Sequence, residues 1–84
     1  MLVLKDAVDV ANQLGITFDK FSFKDLLIGM NIELEHGTSN PITNITNNDA
    51  VMTAKIALAH LYEYPNYYDV NVGLPNLEKQ LKEK

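Results

Sequence analysis

The sequence predicts an all-α domain, and three observations carry that prediction. Apolar residues recur at spacings of three and four in successive segments, those segments open on residues suited to capping a helix, and they close on glycine or proline. The expected architecture is a compact bundle of three main helices, at about 4–14, 23–36 and 48–64, followed by one or two short C-terminal helices. The chain of 84 residues is long enough for one domain and too short for two, because a domain of this size buries only roughly 60% of its unfolded surface. Residues 1–84 are therefore read as a single domain, with 74–84 as a loosely docked or frayed terminal helix.

The first helix follows from Leu4, Ala7, Val8, Ala11 and Leu14 on one face, with Lys5, Asp6, Asp9, Asn12 and Gln13 on the other and Gly15 at its stop. Ser22 stands three before Asp25, the spacing of a capping box, so the second helix starts at Phe23. Phe21 and Leu26 fall where a hydrophobic staple would close over that start. Phe23, Leu26, Leu27, Met30 and Leu34 form its apolar stripe, and Gly37 is expected to end it in a left-handed conformation. Gly29, inside that stripe, marks a weak point or a close approach of another element.

Thr38–Asn48 is rich in Thr, Ser, Asn and Pro, whose short side chains compete for the backbone, and reads as the longest loop. It has neither the glycines of a phosphate loop nor the alternating acids of a calcium loop. Thr46 and Asp49 repeat the capping spacing before the third helix, which Pro65 ends. That helix is apolar around almost its whole circumference, with Lys55 isolated and Thr53, His60 and Glu63 on one strip, and this predicts a buried central helix. A short helix over 66–72, stopped by Gly73, and a last one opened by Pro75 complete the expectation.

Composition excludes several function classes. There is no cysteine, so disulfides and thiolate metal sites are ruled out. No apolar run approaches the roughly 20 residues of a membrane span or forms a signal peptide, and the chain reads as cytoplasmic with no membrane partner. The net charge is −4, arginine is absent and the lysines are scattered, which disfavours nucleic acid as a partner. Ser22 is a cap, Ser39 lies in no nucleophile elbow, and Lys55 reads as a snorkelling lysine, so no catalytic residue is assigned and the chain reads as non-enzymatic.

Two features remain. Glu33 with His36, and His60 with Glu63, each place a carboxylate and an imidazole three apart on one helix face. Pairs of this kind form part of the ligand set in helical dimetal proteins, so Glu33, His36, His60 and Glu63 are the candidate metal ligands. The ordinary reading, which the sequence favours, leaves His36 at a helix C-terminus and His60 hydrogen-bonded in the core, with no cofactor required and a divalent metal as the alternative. The geometric requirement of the metal reading is that the two pairs converge. The second feature is the concentration of all four tyrosines, Tyr62, Tyr64, Tyr67 and Tyr68, within seven residues. These are the candidate interaction residues for a protein partner. The ordinary alternative has Tyr64 and Tyr67 closing the end of the core, with Tyr62 and Tyr68 covering its edge.

The run Gly29–Gly37, Gly-Met-Asn-Ile-Glu-Leu-Glu-His-Gly, and the run Thr53–Tyr68, Thr-Ala-Lys-Ile-Ala-Leu-Ala-His-Leu-Tyr-Glu-Tyr-Pro-Asn-Tyr-Tyr, resemble the signature of a family of small bacterial and phage proteins known only as a domain of unknown function. The resemblance spans about residues 18–70. It matches Glu33, Glu35, His36, Thr53, Lys55, His60, Glu63, Pro65, Tyr67 and Tyr68 to the family pattern, which implies a shared purpose for the two pairs but no reaction. Ala50, where that pattern often has proline, and Gly73–Pro75 depart from it. The function expected from all this is an accessory or protein-interaction domain, with a metal-binding or hydrolytic domain as the alternative.

Overall fold

The computed structural model describes residues 1–82. It is all-helical, with no strand among the described residues: α1 (Leu4–Leu14), α2 (Phe23–Glu33) continued by a 3-10 turn at Leu34–His36, α3 (Ala50–Glu63) and α4 (Leu74–Lys82). The expected end of the last helix at Glu83 and Lys84 lies outside the described residues. No helix among them is long and apolar enough to cross a membrane.

The stop of α1 and the start of α2 act as read, and α1 has in addition a cap at its start. Asp6 folds back to accept a 2.7 Å hydrogen bond from the Val3 N–H, and Gly15, at φ 65°, closes α1 in the left-handed conformation. The face that α1 buries is turned from the expected one. Ala7, Val10 and Ala11 are inside, while Leu4 and Val8 are exposed. At the start of α2 the capping box is reciprocal: the Asp25 N–H donates to Ser22 Oγ at 3.1 Å, and the Ser22 N–H donates to Asp25 Oδ2 at 2.9 Å. Phe21 and Leu26, on either side of this cap, both enter the core.

The second half of the chain departs more from expectation. The last three residues expected of the second helix are 3-10, and Gly37 lies at φ −102°, outside the left-handed region. The third helix begins at Ala50 with Asp49 as its cap, accepting from the Met52 N–H at 2.9 Å. Thr46 is instead buried, with its hydroxyl accepting from the Asn48 N–H. α3 is not enclosed on all sides: Thr53, Ala54, Ala57, Leu58 and Leu61 are buried, but Met52, Ala59 and Tyr62 face outward. Residues 66–72 form successive turns, not a helix.

α2 packs most extensively on α3, and α1 lies against both. The core between them holds Ala7, Val10, Phe21, Leu26, Met30, Ala54, Ala57, Leu58, Leu61 and Tyr68. Alanines at 54 and 57 bring the α3 backbone close to α2, which places the residues at the end of α2 within reach of those on α3. α4 buries no residue, and its Leu77 and Leu81 are exposed.

A strap at the amino terminus was not visible from the residue pattern. The Asn31 carboxamide on α2 accepts from the Leu2 N–H at 2.8 Å and donates to the Leu2 carbonyl at 3.0 Å and the Leu27 carbonyl at 3.1 Å. It ties the start of the chain to the middle of α2.

Candidate metal centre

Glu33 closes α2 and is 2% exposed. A buried carboxylate must be paired, protonated or bound to a metal, because leaving the charge unpaired costs far more than one residue can contribute. Among the described residues no lysine pairs with it. Two imidazoles approach it on opposite oxygens: His36 Nε2 lies 3.2 Å from Oε1, and His60 Nε2 lies 3.7 Å from Oε2. The Tyr68 hydroxyl donates to Oε2 as well.

The backbone explains each approach. Tightening the end of α2 into a 3-10 turn eclipses residues three apart, so His36 stands directly over Glu33. The His36 carbonyl accepts from the Ile45 N–H at 2.7 Å and the Thr46 N–H at 3.2 Å, so the Asn-rich loop fixes that turn from outside. The loop is itself held by Asn48, whose side chain accepts from the Thr38 N–H and donates to the Thr38 hydroxyl. His60 arrives from α3 across the helix seam and is half-buried.

The two expected pairs therefore converge through Glu33, but not with all four members. Glu63 is exposed and makes no ion pair among the described residues, although it stands only three positions from His60. Glu35 stands in its place. Its Oε1 is 3.6 Å from His36 Nε2, and Glu33, Glu35 and His36 offer ligand atoms within 4.8 Å of one another. Ligands held about 2.0–2.1 Å from a tetrahedral ion stand about 3.3 Å apart. The 3.2 Å between His36 Nε2 and Glu33 Oε1 is close to that spacing, while His60 Nε2 stands 3.7 Å from the other oxygen and outside the group formed by Glu33, Glu35 and His36.

The tyrosines divide. Tyr68, expected at the edge of the core, is 2% exposed, and its ring lies against Gly29, where an added Cβ would meet it at 2.5 Å. Gly29 is thus a notch that admits an aromatic ring, not a neighbouring helix. Tyr67 stacks flat on His60, with ring centroids 4.2 Å apart and planes within 5°. Burial, and then its hydrogen bond to Glu33 and the charge of that carboxylate, pushes the Tyr68 hydroxyl far above the ordinary tyrosine range, so it serves as a neutral donor. Tyr67 is raised as well, by burial first and then by Glu33, Glu78, Glu35 and Glu63. Tyr62 and Tyr64 are 49% and 56% exposed. Tyr62 packs edge-on against Phe21, while Tyr64 lines an open groove of about 450 Å³ with Tyr67, Val72, Leu74 and Leu77.

Glu35 and the inward turn of Tyr68 are the features of this candidate site that spacing alone does not assign. The family resemblance had marked both residues without giving them a role. No curated protein and no solved structure matches the chain. A family model does match, over residues 7–80, and the chain belongs to the family described as proteins of unknown function (DUF5661).

Proposed function

We propose that the protein is a small, non-enzymatic metal-binding domain that holds one divalent transition-metal ion with Glu33, His36 and His60, and with Glu35 as the fourth ligand. The observation that carries this reading is a buried carboxylate approached on both oxygens by imidazoles and by no lysine among the described residues. An imidazole binds a metal in its neutral form, so two imidazoles and two carboxylates would present two negative charges to an ion, which a divalent cation neutralises. Nitrogen and oxygen donors in this ratio suit zinc, manganese or iron better than calcium or magnesium. Four protein ligands make a closed set, which is the pattern of a structural site and not of a hydrolytic one. Such an ion would pin the end of α2 to α3.

The test is an NMR titration of metal-free protein with zinc and then manganese, following the His36 and His60 ring signals. Both rings are expected to respond together at micromolar metal, and H36A and H60A each to abolish the response at the other ring. Rings that stay unchanged in both titrations would overturn the reading.

A second reading, an accessory domain that docks a protein partner, is favoured by the groove beside the exposed Tyr64 and Leu77. The acidic charge balance and the bacterial or phage setting implied by the resemblance belong with it. Its first checkable form is self-association: sedimentation of the wild type and of Y64D/L77D at rising concentration should differ if a second copy covers the groove.

A further inference from the structure

We propose that Tyr67 and Tyr68 are the positioning residues of this centre, one for each ligand that comes from a different helix, so that the site is complete only when the segment after Pro65 is docked. The inference rests on the metal-binding reading above.

Metal-bound carboxylates and imidazoles are normally held by a further layer of contacts that fix their orientation. Here Glu33 and His60 receive that support from adjacent residues of one turn. The Tyr68 hydroxyl donates to Glu33 Oε2, which fixes the plane of the carboxylate and leaves Oε1 toward His36. The Tyr67 ring covers the face of the His60 imidazole, which fixes its tilt and leaves its Nε2 toward Glu33. The two tyrosine rings meet edge to face, with centroids 5.0 Å apart, so neither moves freely without the other. The turn that carries them is closed on itself, with the Tyr67 N–H donating to the Tyr64 carbonyl at 2.9 Å and the Tyr67 carbonyl accepting from the Leu74 N–H at 2.6 Å. The notch at Gly29 lets Tyr68 approach α2 closely enough to reach Glu33. Two neighbouring aromatic residues thus do different jobs, one through its hydroxyl and one through its ring.

That division sets the experiment. Zinc affinity is measured by calorimetry on the wild type, Y68F, Y67F and Y67A, with the melting temperature of each metal-free variant as the check on folding. Y68F keeps the ring in its notch and loses only the hydroxyl, so its affinity should fall about 10- to 100-fold, the range found when such supporting groups are removed. Y67F keeps the stack and should bind as the wild type does, while Y67A should weaken binding by a similar factor. A merely structural role for Tyr67 would make affinity follow melting temperature across the set, and this outcome would overturn the proposal. Wild-type affinity in Y68F, with the wild type itself binding zinc, would refute positioning and leave the metal reading intact. Absence of zinc binding by the wild type would remove both. Should Y68F fail to fold, the contrast between Y67F and Y67A decides alone.

Discussion

Tyr62 and Tyr64 lie on one side of Pro65, Tyr67 and Tyr68 on the other, and the two pairs meet opposite environments. The first pair ends α3 and faces outward, with one ring leaning on Phe21 and the other lining a groove. The second pair is folded back by the turn that Pro65 opens, so that one ring covers His60 and the other enters the core beneath Glu33. Residue type is the same in all four cases. What differs is whether the backbone has already reversed, and the reversal converts a stretch of similar side chains into an outer edge and an inner support.

The sharpest way to break this comparison is truncation. Y68A removes a buried ring from the core and leaves the Glu33 carboxylate without its donor, so chemical denaturation should show a loss of about 3–5 kcal/mol. A smaller and more diagnostic effect is expected at Gly29. In the wild type, G29A forces the Tyr68 ring away from α2 and should cost about 1–3 kcal/mol. In a Y68A background the notch is empty, and the same change should stabilise by about 0.5–1 kcal/mol, because alanine is the better helix residue. A reversal of sign between the two backgrounds, read from denaturation midpoints, ties the glycine to the tyrosine. Equal costs would detach them.

This part of the molecule also marks where sequence reasoning stops. The start of α2 was legible because Ser22 and Asp25 act within one turn, and the stop at Gly15 because one backbone angle decides it. The His36 and Glu33 pair was legible for the same reason, and the 3-10 geometry only tightened it. Of the partners distant in sequence, the approach of His60 to Glu33 is what the metal reading requires, but that of Tyr68 has no signal in spacing. Tyr68 and Glu33 are 35 residues apart, and their meeting depends on a turn whose direction no spacing encodes. Glu63 shows the opposite error: it shares a helix face with His60 in spacing, yet the face that meets α2 is narrow and ends before it. The apolar circumference of α3 does not enclose it, because an apolar side chain does not require burial; Met52 and Tyr62 remain at the surface. Val10, turned inward in place of Val8, shows how little separates two faces of a short helix.

The inner pair should also show itself by pH. The Tyr68 hydroxyl has a folded pKa raised above its unfolded value of 10.0, so the folded metal-free protein keeps a proton that the unfolded chain releases above about pH 10. The unfolded state then binds fewer protons, and stability must fall as pH rises. The contribution is fully present below pH 10 and is lost above it, at no more than about 1.4 kcal/mol per pH unit for this one group. Denaturation series between pH 9 and pH 11, within about one unit of that value, should show the extra slope in the wild type and a shallower one in Y68F.

The smallest effects belong to the outer pair itself. Y64A removes a ring that is more than half exposed and should change stability by no more than about 0.5 kcal/mol, the range of surface substitutions. Y62A loses an edge-on contact with Phe21 as well, and aromatic pairs of that kind contribute about 0.5–1.5 kcal/mol, so it should cost nearer 1 kcal/mol. A double-mutant cycle between Y62A and F21L would isolate that contact. Neither outer variant should alter the response of His36 and His60 to zinc, since neither side chain touches Glu33 or either imidazole. If Y64A weakened that response as much as Y67A does, the division at Pro65 would fail, and the whole tyrosine segment would have to be treated as one support for the centre.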